Sequence, residues 1–403
     1  MDGEPVEISS GVYWVGALDP YLRAFDLVMP LKKGTSYNSY LIIDEKITLI
    51  DAVKSGFYDQ FKQNISEVID PTDIDYIVIN HFEQDHTGTL NKLLETATKA
   101  EVIVSKNALP FLKETLNRDI PHRTVSDDTE VSLGERSLRF YKTPFLHWPD
   151  TMIEYLVPDN ILFTCDAFGF HYCELHEERV EEPDYNLWYY YDLIMRPFRE
   201  YVAEAVEKIK DLDVRILCPS HGPFRKRNPD RVIDRYRHWS TRESHFEDPT
   251  VLLVYASFYR NTARLAEGIA GGLTEEGLSV HSEDISYGLT ERIKDKAEDA
   301  CGIVLGTPTM AGSPIFHIWD LFKQLSIVSK GGKPAAVFGS YGWNAAGIKI
   351  ADDVLRHLRF KVELEPLKVR LVPNDADIKA ASRFGRDFAH IVKQYLSSKK
   401  PVR

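Results

Sequence analysis

The chain has 403 residues, more than one ordinary hydrophobic core organises, so its length predicts two domains. Hydrophobic residues make up 43% and charged residues 27% of the chain, proportions typical of a folded globular protein rather than a disordered one. The 61 acidic and 49 basic side chains give a formal net charge of -12, which argues against a nucleic-acid-binding surface.

The sequence predicts neither export nor insertion into a membrane. The segment Met1–Pro5 lacks the basic flank and apolar run of a secretory signal. No segment approaches the roughly 20 apolar residues that cross a bilayer. The cysteines form no Cys-x-x-Cys pair, so we expect a reduced, cytoplasmic setting and no thiolate metal site of the zinc-finger or rubredoxin type. They are Cys165, Cys173, Cys218 and Cys301.

The first part of the chain, predicted as a domain over residues 1–248, mixes short apolar runs with helical stretches. The predicted strands include Ser39–Ile43, Ile47–Ile50, Tyr76–Ile79 and Ile161–Thr164. The predicted helices include Asn91–Thr96 and Tyr201–Ile209. The polar stretch Arg237–Pro249 ends in proline and predicts a linker to a second domain.

Potential metal ligands are concentrated where the predicted strands of this domain end. Tyr76–Ile79 runs directly into Asn80-His-Phe-Glu-Gln-Asp-His86, and three further apolar strands each lead to one donor. Strand ends that face one way can converge on one pocket, and seven nitrogen and oxygen donors suit two cations. Imidazole with carboxylate suits iron, manganese or zinc, abundant carboxylate favours iron or manganese, and a carboxylate can bridge two metals. The donors are His81, Glu83, Asp85, His86, His147, Asp166 and His221.

Each of these donors also has an ordinary structural interpretation when taken alone. A single histidine after a strand is usually at the surface or hydrogen-bonded in the core, and His147-Trp-Pro-Asp150 alone is consistent with a simple turn. Packing explains four donor-bearing strand ends and a six-residue cluster much less easily. The sequence therefore predicts a metal site.

The pattern His-x-Glu-x-Asp-His at residues 81–86, with the three downstream donors, resembles the metallo-β-lactamase-like domain of flavodiiron proteins. Hydrolases of that fold generally carry His-x-His-x-Asp-His and bind zinc, whereas Glu83 occupies the second histidine position here. The resemblance implies one iron on His81, Glu83 and His147. It implies a second iron on Asp85, His86 and His221, with Asp166 as the bridge. In some members the histidine that matches His86 is displaced from the metal.

The second part of the chain, predicted as a domain over residues 249–403, alternates strands with amphipathic helices. This alternation predicts a doubly wound parallel sheet. Its first strand leads into Ser257-Phe-Tyr-Arg-Asn-Thr262 and then a helix, an arrangement that binds phosphate through backbone N–H groups and the helix dipole. The predicted strands are Val251–Ala256, Gly302–Gly306, Ala335–Gly339 and Val369–Val372.

A hydroxyl-rich loop also caps helices routinely, so the first loop alone is weak evidence for phosphate binding. Two more loops at strand ends, Gly306–Gly312 and Gly339–Asn344, supply backbone groups and aromatics suited to an isoalloxazine ring. No Gly-x-Gly-x-x-Gly follows a strand, which disfavours a dinucleotide, and together the three loops resemble the FMN site of a flavodoxin. Ala256 stands where flavodoxins often have an aspartate, and Arg260 is larger than the residue usually found at its position. We therefore expect the flavin to bind but to have altered properties. The predicted FMN contacts are Ser257, Phe258, Tyr259, Arg260, Asn261, Thr262, Pro308, Thr309, Met310, Ala311, Gly312, Ser340, Tyr341, Gly342 and Trp343.

The resemblance spans nearly the whole chain and implies an αββα sandwich followed by a flavodoxin-like sheet. It implies an enzyme that reduces O2 to water or NO to N2O at two non-haem irons with electrons from FMN. His171 and Tyr190 are candidate hydrogen-bond donors to the bound substrate. We expect a separate electron donor, rubredoxin or a reduced deazaflavin coenzyme, because no rubredoxin-like cysteine module follows.

Two other functions remain open at this point. A zinc hydrolase fused to a flavodoxin would keep the ligands, but Glu83 and the flavin argue against it. A pure electron carrier would not need all seven donors. The resemblance also implies a head-to-tail homodimer or a dimer of such dimers, in which the FMN of one chain lies beside the irons of its partner.

Overall fold

The computed structural model describes residues 3–25, 29–241, 244, 246–328 and 332–398. The chain divides into two compact units, Met1–Arg242 and Glu243–Arg403, whereas the sequence placed the boundary after residue 248. The predicted linker 237–249 begins inside a helix, which extends to Ser240. Its residues 242, 243 and 245 lie outside the described residues. No helix in the described part of the chain is long and apolar enough to cross a membrane.

The first unit contains two large sheets. One sheet has the order β1-β2-β7-β8-β9-β10-β11 and the other runs from β12 to β16, with the short pairs β3–β6 and β4–β5 beside them. The strands are β1 (Val6–Ser9), β2 (Val12–Trp14), β3 (Ala17–Asp19), β4 (Ala24–Phe25), β5 (Met29–Pro30), β6 (Thr35–Tyr37), β7 (Tyr40–Ile42), β8 (Thr48–Ile50), β9 (Tyr76–Ile79), β10 (Glu101–Ser105), β11 (His122–Val125), β12 (Glu130–Ser132), β13 (Ser137–Lys142), β14 (Met152–Val157), β15 (Ile161–Phe163) and β16 (Ile216–Cys218).

Helices cover the outer face of each sheet. The helices are α1 (Tyr58–Val68), α2 (Gln84–Thr87), α3 (Leu90–Leu93), α4 (Leu109–Leu116), α5 (Pro183–Tyr190), α6 (Arg199–Ile209) and α7 (Pro229–Ser240). A π-helix, Tyr191–Met195, follows α5. Short 3₁₀ turns are Ser55–Phe57, Pro71–Asp73, Lys106–Ala108, Glu177–Arg179 and Arg196–Phe198. Helices α1, α3 and α4 pack on the first sheet, and α5 to α7 pack on the second.

The alternation of side chains along β9 shows how the layers form. Ile77 and Ile79 point into the core beneath α1 and α4, while Val78 points into the core between the two sheets. Successive strand residues face opposite sides, so a strand that is apolar at every position is buried on both faces. Since both sheets have such strands, four layers form in the order helix, sheet, sheet, helix, and the predicted αββα sandwich is confirmed.

The second unit is a parallel sheet with the order β18-β17-β19-β20-β21, in which β22 also pairs with β20. Its strands are β17 (Thr250–Tyr255), β18 (Ser279–Asp284), β19 (Gly302–Gly306), β20 (Pro334–Tyr341), β21 (Lys361–Val362) and β22 (Leu367–Arg370). Its helices are α8 (Asn261–Glu275), α9 (Ile293–Asp299), α10 (Phe316–Ser326), α11 (Ala346–His357) and α12 (Asp375–Ser398). The strand order is that of flavodoxin, so the predicted doubly wound sheet is confirmed.

Cores lie on both faces of this sheet. Val251 and Leu253 of β17 pack towards α8 and α12, whereas Leu252 and Val254 pack towards α9, α10 and α11. The apolar side chains of β17 are therefore buried on both faces of the sheet, as those of a central parallel strand must be. The reversal of strand order beside β17 leaves a crevice at the carboxyl ends of the strands, which is where ligands of such folds bind.

Two predicted element boundaries differ from the structure. The predicted helix Asn91–Thr96 is reduced to α3, because the backbone turns after Leu93 and the N–H groups of Thr96 and Ala97 both bond to the Leu93 carbonyl. The predicted strand Val369–Val372 ends at Arg370, since Leu371 has a φ of 59° that breaks the extended backbone.

Helices α8 and α12 lie so close together that one added methyl group at their contact should destabilise the second unit. A Cβ at Gly272 would lie 1.9 Å from the Ser382 carbonyl oxygen, whereas one at Gly271 would have no neighbour within 4 Å. We expect Gly272→Ala to destabilise the second unit by about 1–3 kcal/mol through overpacking. The matched control Gly271→Ala should raise stability by up to about 1 kcal/mol through helix propensity. Denaturant unfolding measures both, and equal effects would contradict the packing argument.

Candidate functional site

The predicted metal ligands lie at one edge of the two sheets in the first unit. Strands β8 and β9 are parallel, as are β15 and β16, so each pair ends on the same side. Strand β13 runs in the same direction as β15, because both are antiparallel to β14 between them. The loops that follow these strands carry the donors, and the structure brings all seven together.

One group of donors surrounds the Oδ2 atom of Asp166. His81 Nε2 lies 3.9 Å from this oxygen and His147 Nε2 lies 3.6 Å from it. Glu83 Oε2 contacts both imidazoles, at 3.1 Å from His81 Nε2 and 3.2 Å from His147 Nε2. Two imidazoles and two carboxylates therefore converge on one point.

A second group surrounds the other oxygen of the same carboxylate. His86 Nε2 and His221 Nε2 lie 3.2 and 3.3 Å from Asp166 Oδ1. Asp85 completes the group, with Oδ2 at 3.2 Å from His221 and Oδ1 at 3.7 Å from His86. Asp166 thus presents one oxygen to each group, which is the geometry of a carboxylate that bridges two cations.

Each imidazole except that of His147 is fixed by a hydrogen bond from its Nδ1 atom. His81 donates to Asp150 at 3.3 Å, His86 to Asp51 at 3.2 Å and His221 to the Ser36 carbonyl at 2.8 Å. Carboxylate and carbonyl oxygens can only accept, so Nδ1 of each ring carries a proton and Nε2 faces the site, where it would offer its lone pair to a metal ion that displaces the second proton. These anchors fix both the tautomer and the direction of each ring.

Asp51 and Asp150, whose carboxylates orient the rings of His86 and His81, were not predicted from the sequence. Asp51 directly follows β8, so the same strand-end signal that selected the other donors could have found it. Its Oδ1 atom also accepts the backbone N–H of Asn80, which ties the ends of β8 and β9 together. Asp150 belongs to the His-Trp-Pro-Asp segment, which is both a turn and part of the site. The Thr151 N–H closes the turn on the Trp148 carbonyl at 3.3 Å, and the Asp150 carboxylate accepts from His81.

The site concentrates negative charge in a buried volume. Burial raises the pKa of Glu83, but hydrogen bonds from His147 and His81 outweigh it and lower the pKa to about 2. Burial lowers the pKa of His81, but hydrogen bonds to Asp150 and Glu83 outweigh it and raise the pKa to about 9. The carboxylates therefore stay ionised and attract positive charge, from protons or from metal ions.

Several buried polar atoms at the centre have no hydrogen-bond partner among the described residues. They are both carboxylate oxygens of Asp85, Nε2 of His86 and His221, and Oδ2 of Asp166. Buried polar atoms are rarely left unpaired, because desolvation without a bond costs about 1–3 kcal/mol each. These atoms all face the donor groups just described, so the residues fit a pair of metal ions.

His171 and Tyr190 lie beside the second donor group. The His171 ring centroid is 4.5 Å from that of His221 and 5.2 Å from that of Tyr190. Thr35 donates its hydroxyl proton to the Ser36 carbonyl and so accepts from His171 Nδ1, which leaves a lone pair on His171 Nε2. This geometry favours His171 as an acceptor rather than the expected donor. Tyr190 retains a buried hydroxyl without a partner among the described residues.

Burial also sets the protonation of these two side chains. It lowers the pKa of His171 well below its usual range, and the neighbouring His221 lowers it further. It raises the pKa of Tyr190 well above its usual range. At neutral pH His171 is therefore an uncharged acceptor and Tyr190 a neutral donor.

In the second unit, the predicted loops enclose a cavity of about 220 Å³ at the carboxyl ends of the strands. Helix α8 begins in this cavity, and the first N–H groups of a helix have no intrahelical partner. The Thr309 hydroxyl is buried without a partner among the described residues. The lining residues are Ser257, Phe258, Tyr259, Asn261, Thr262, Pro308, Thr309, Met310, Ser340, Tyr341, Gly342 and Leu371.

Hydrogen bonds join these loops to one another. Ser257 accepts the N–H of Ala263 at 3.1 Å, so it caps α8 as well as lining the cavity. The hydroxyls of Thr262 and Ser340 are 2.9 Å apart and link the first loop to the third. A phosphate would thus meet a helix N-terminus and two hydroxyls held in fixed positions, which fits FMN.

Four predicted FMN contacts do not line the cavity, and one residue was missed. The four are Arg260, Ala311, Gly312 and Trp343. Arg260 has a φ of 60° at the start of α8, and its guanidinium pairs with Glu267 at 2.9 Å instead of facing the cavity. The missed residue is Leu371, which follows β22 and so carries the same strand-end signal.

The fold and the two sites define a flavin- and metal-binding protein made of a metallo-β-lactamase-like unit and a flavodoxin unit. The family model described as ODP family beta lactamase matches residues 35–222, and the flavodoxin model matches residues 253–385. Both matches agree with the two units described above.

Relatives similar over the full chain identify the family. The type A flavoprotein fprA of Rhodobacter capsulatus is 38% identical over 401 residues, with 96% of this chain and 92% of the relative covered. The flavo-diiron protein FprA2 of Clostridium acetobutylicum is 36% identical, covering 95% and 98%. A nitric oxide reductase of Moorella thermoacetica is 30% identical, covering 96% and 98%. The chain belongs to the flavodiiron proteins, also called type A flavoproteins, as its sequence predicted.

A solved structure supports the same assignment. The rubredoxin oxygen:oxidoreductase of Desulfovibrio gigas aligns with a TM-score of 0.67 at 27% identity, covering 98% of this chain and 100% of that one. The similarity therefore spans both units.

Asp150→Asn tests the anchor on His81. An amide accepts more weakly than a carboxylate, so the His81 ring should lose its fixed orientation. We expect metal affinity to fall about 10- to 100-fold, measured by titrating metal-free protein with Fe(II) against a competing chelator. The exposed control Asp213→Asn should bind metal as the unchanged protein does. Equal affinity in Asp150→Asn would exclude this anchoring role.

Thr262→Val tests the link between the flavin loops. The substitution removes the hydroxyl that meets Ser340 while preserving shape, so affinity for FMN should fall about tenfold. Quenching of FMN fluorescence on binding measures the affinity. Thr274→Val, on the exposed side of the same helix, is the control and should leave it unchanged. An unaltered affinity in Thr262→Val would show that the hydroxyl does not contribute.

Proposed function

We propose that the chain reduces O2 to water, NO to N2O, or both, with two irons in the first unit and FMN in the second. The observation that carries this proposal is the placement of Asp166, whose two oxygens each face a separate pair of imidazoles. The choice of NO and O2 as substrates is based on the names of two relatives, a nitric oxide reductase and a rubredoxin oxygen:oxidoreductase.

Iron is favoured over zinc by the composition of the first donor group. Glu83 Oε2 stands between His81 and His147, where a histidine would complete a zinc hydrolase site. Carboxylates raise the share of hard oxygen ligands, which suits iron or manganese. The roles of the seven donors as ligands are part of this proposal.

When bound, a pair of irons offers electrons and open coordination positions to a diatomic gas, while flavin accepts electrons in pairs and releases them singly. The chain's own residues orient the gas beside the second donor group. The Tyr190 hydroxyl is a neutral donor for a bound oxygen atom, and the His171 Nε2 atom is an acceptor for a proton or water. His171 also lines a cavity of about 230 Å³.

We infer that electrons cross between two copies of the chain in a head-to-tail homodimer. Each candidate site lies at the strand ends of its own unit, and a domain of about 250 residues has a radius of gyration of roughly 18 Å. Tyr259 beside the flavin cavity is 88% exposed, and Trp343 in the neighbouring loop is 85% exposed. Tyr185, which lines the His171 cavity, is also exposed. Exposed aromatic surfaces at both sites are suited to a protein interface.

We propose rubredoxin or a reduced deazaflavin coenzyme as the electron donor. The name of the solved relative, rubredoxin oxygen:oxidoreductase, supports rubredoxin. We place the protein in the cytoplasm. All four cysteines lie within the described residues and are free and buried, as expected in a reducing compartment.

Anaerobic stopped-flow tests the reaction. Reduced protein loaded with FMN and about two irons per chain should reoxidise its flavin with O2 or NO much faster than the same protein stripped of metal. Zinc-loaded protein is a second control and should behave like the stripped protein. Equal flavin reoxidation in iron-loaded and stripped protein would overturn the proposed function.

Mixed dimers test the path of the electrons. One chain carries Asp166→Ala and lacks the metal bridge, and the other carries Asn261→Glu, whose charge repels the flavin phosphate. A head-to-tail dimer of these two chains joins one intact FMN to one intact metal site, so it should keep about half of the activity. Each variant alone should be inactive. Inactive mixed dimers, or an active monomer in analytical ultracentrifugation, would exclude transfer between chains.

A further inference from the structure

Trp148 connects the candidate metal site to the surface of the first unit. The plane of its indole is nearly perpendicular to two donor rings, with ring centroids 4.9 Å from His81 and 6.5 Å from His147. Phe111 lies at 6.0 Å from the same indole. Trp148 is partly exposed, whereas His81 is fully buried. One aromatic side chain therefore reaches both a donor of the site and solvent.

The turn that carries Trp148 holds the indole in this position. Its carbonyl oxygen accepts the Phe145 N–H at 2.7 Å, the Thr151 N–H at 3.3 Å and the Thr151 hydroxyl at 3.0 Å. Two residues further on, the Asp150 carboxylate accepts from His81. The same short segment therefore fixes both the indole and the donor ring that it contacts.

Two tyrosines also lie near the donors, but they are placed differently. Indole and phenol rings are electron-rich, so tryptophan and tyrosine lose an electron more readily than phenylalanine or histidine. Tyr37 lies 6.1 Å from His221 and is only 1% exposed. Tyr190 is fully buried and contacts His171, which is not one of the donors. Of these three rings, Trp148 lies nearest to a donor ring and alone reaches solvent.

The proposed reaction creates a need for such a ring whenever FMN is oxidised. Reduction of O2 to water takes four electrons, of which two ferrous ions supply two and reduced FMN the others. Without the flavin electrons the gas remains two electrons short of water, and a strong oxidant stays in a buried site. The Cys165 sulfur lies within 4.8 Å of a ring nitrogen of His86. Oxidation of a thiol beyond the sulfenic acid is essentially irreversible, so the site itself is at risk.

We propose that Trp148 is a redox relay that gives electrons to the metal site when FMN cannot, and that it thereby protects Cys165 and the donors from oxidation. In each step the indole loses one electron to the site and its Nε1 proton to water. A thiol in solvent then returns one electron and one proton to the indole radical. Two steps supply the two missing electrons, two thiols become one disulfide, and solvent provides the protons for water. The relay rests on the proposed gas reduction and adds a second source of electrons to it.

Freeze-quench electron paramagnetic resonance on the full chain tests the relay. Protein with oxidised FMN and about two ferrous irons per chain is mixed with O2. We expect a tryptophan radical to form as the irons are oxidised, and glutathione to remove its signal. The signal should be lost in Trp148→Phe and replaced by a tyrosyl radical in Trp148→Tyr, which keeps an oxidisable ring. The control Trp239→Phe changes another partly exposed indole, beside Tyr191, and should keep the tryptophan signal.

Peptide mass spectrometry after repeated exposure to O2 provides a second readout. Trp148→Phe should accumulate oxidised Cys165 and lose iron, whereas Trp148→Tyr should resemble the unchanged protein. A merely structural role of the indole would not produce this rescue. In the unchanged protein a nitroso spin trap should become attached to Trp148, a measurement that covers the case in which Trp148→Phe fails to fold. Tyr37, whose hydroxyl donates to Asp19 at 3.3 Å, is the alternative position for the trap.

Two results would overturn the relay and leave gas reduction intact. One is oxidation of the irons by O2 without a tryptophan radical and without a spin trap on Trp148. The other is a radical that persists in Trp148→Phe or a trap attached to Tyr37 instead. Irons that O2 does not oxidise would contradict the proposed function itself, so the state of the irons distinguishes the two failures.

Discussion

The carboxylate of Asp166 is the group around which the first unit is organised. Four imidazole nitrogens and two further carboxylates converge on its two oxygens, and that convergence requires loops from both sheets to meet at one edge. Parallel pairing of β8 with β9 and of β15 with β16 brings the loops there. Gly169 allows the loops after β15 and β16 to approach closely, since a Cβ at this position would lie 2.7 Å from the His221 carbonyl oxygen.

Much of this arrangement could be predicted from the sequence because its signals are local. Strands buried on both faces are continuous apolar runs, and Tyr76–Ile79 was predicted with the bounds that β9 has. Donors that directly follow such runs could be selected without knowing the fold. The division of the donors into two groups could not be derived from the residues, because it depends on which loops meet in space. That division came from the family resemblance.

The anchors and the flavin cavity show where local signals become insufficient. Asp51 and Leu371 directly follow strands and so carry the same signal as the predicted residues, but that signal does not tell which side chains face a site. Arg260 was predicted as an FMN contact, yet its guanidinium pairs with Glu267 on the helix. The hydroxyl- and amide-rich loop between a strand and a helix could be predicted from the sequence, whereas the direction of each side chain required the tertiary structure.

The hydrogen bonds on Nδ1 of His81, His86 and His221 have a consequence for how the protein matures in the cell. Since protein groups orient these rings, ligand geometry is a property of the folded chain and does not wait for an ion to impose it. Maturation thus separates into folding and a later capture of metal. A rigid set of nitrogen and oxygen ligands does not by itself reject zinc, which binds such sites more tightly than ferrous iron. Correct loading then depends on which metal the cell makes available.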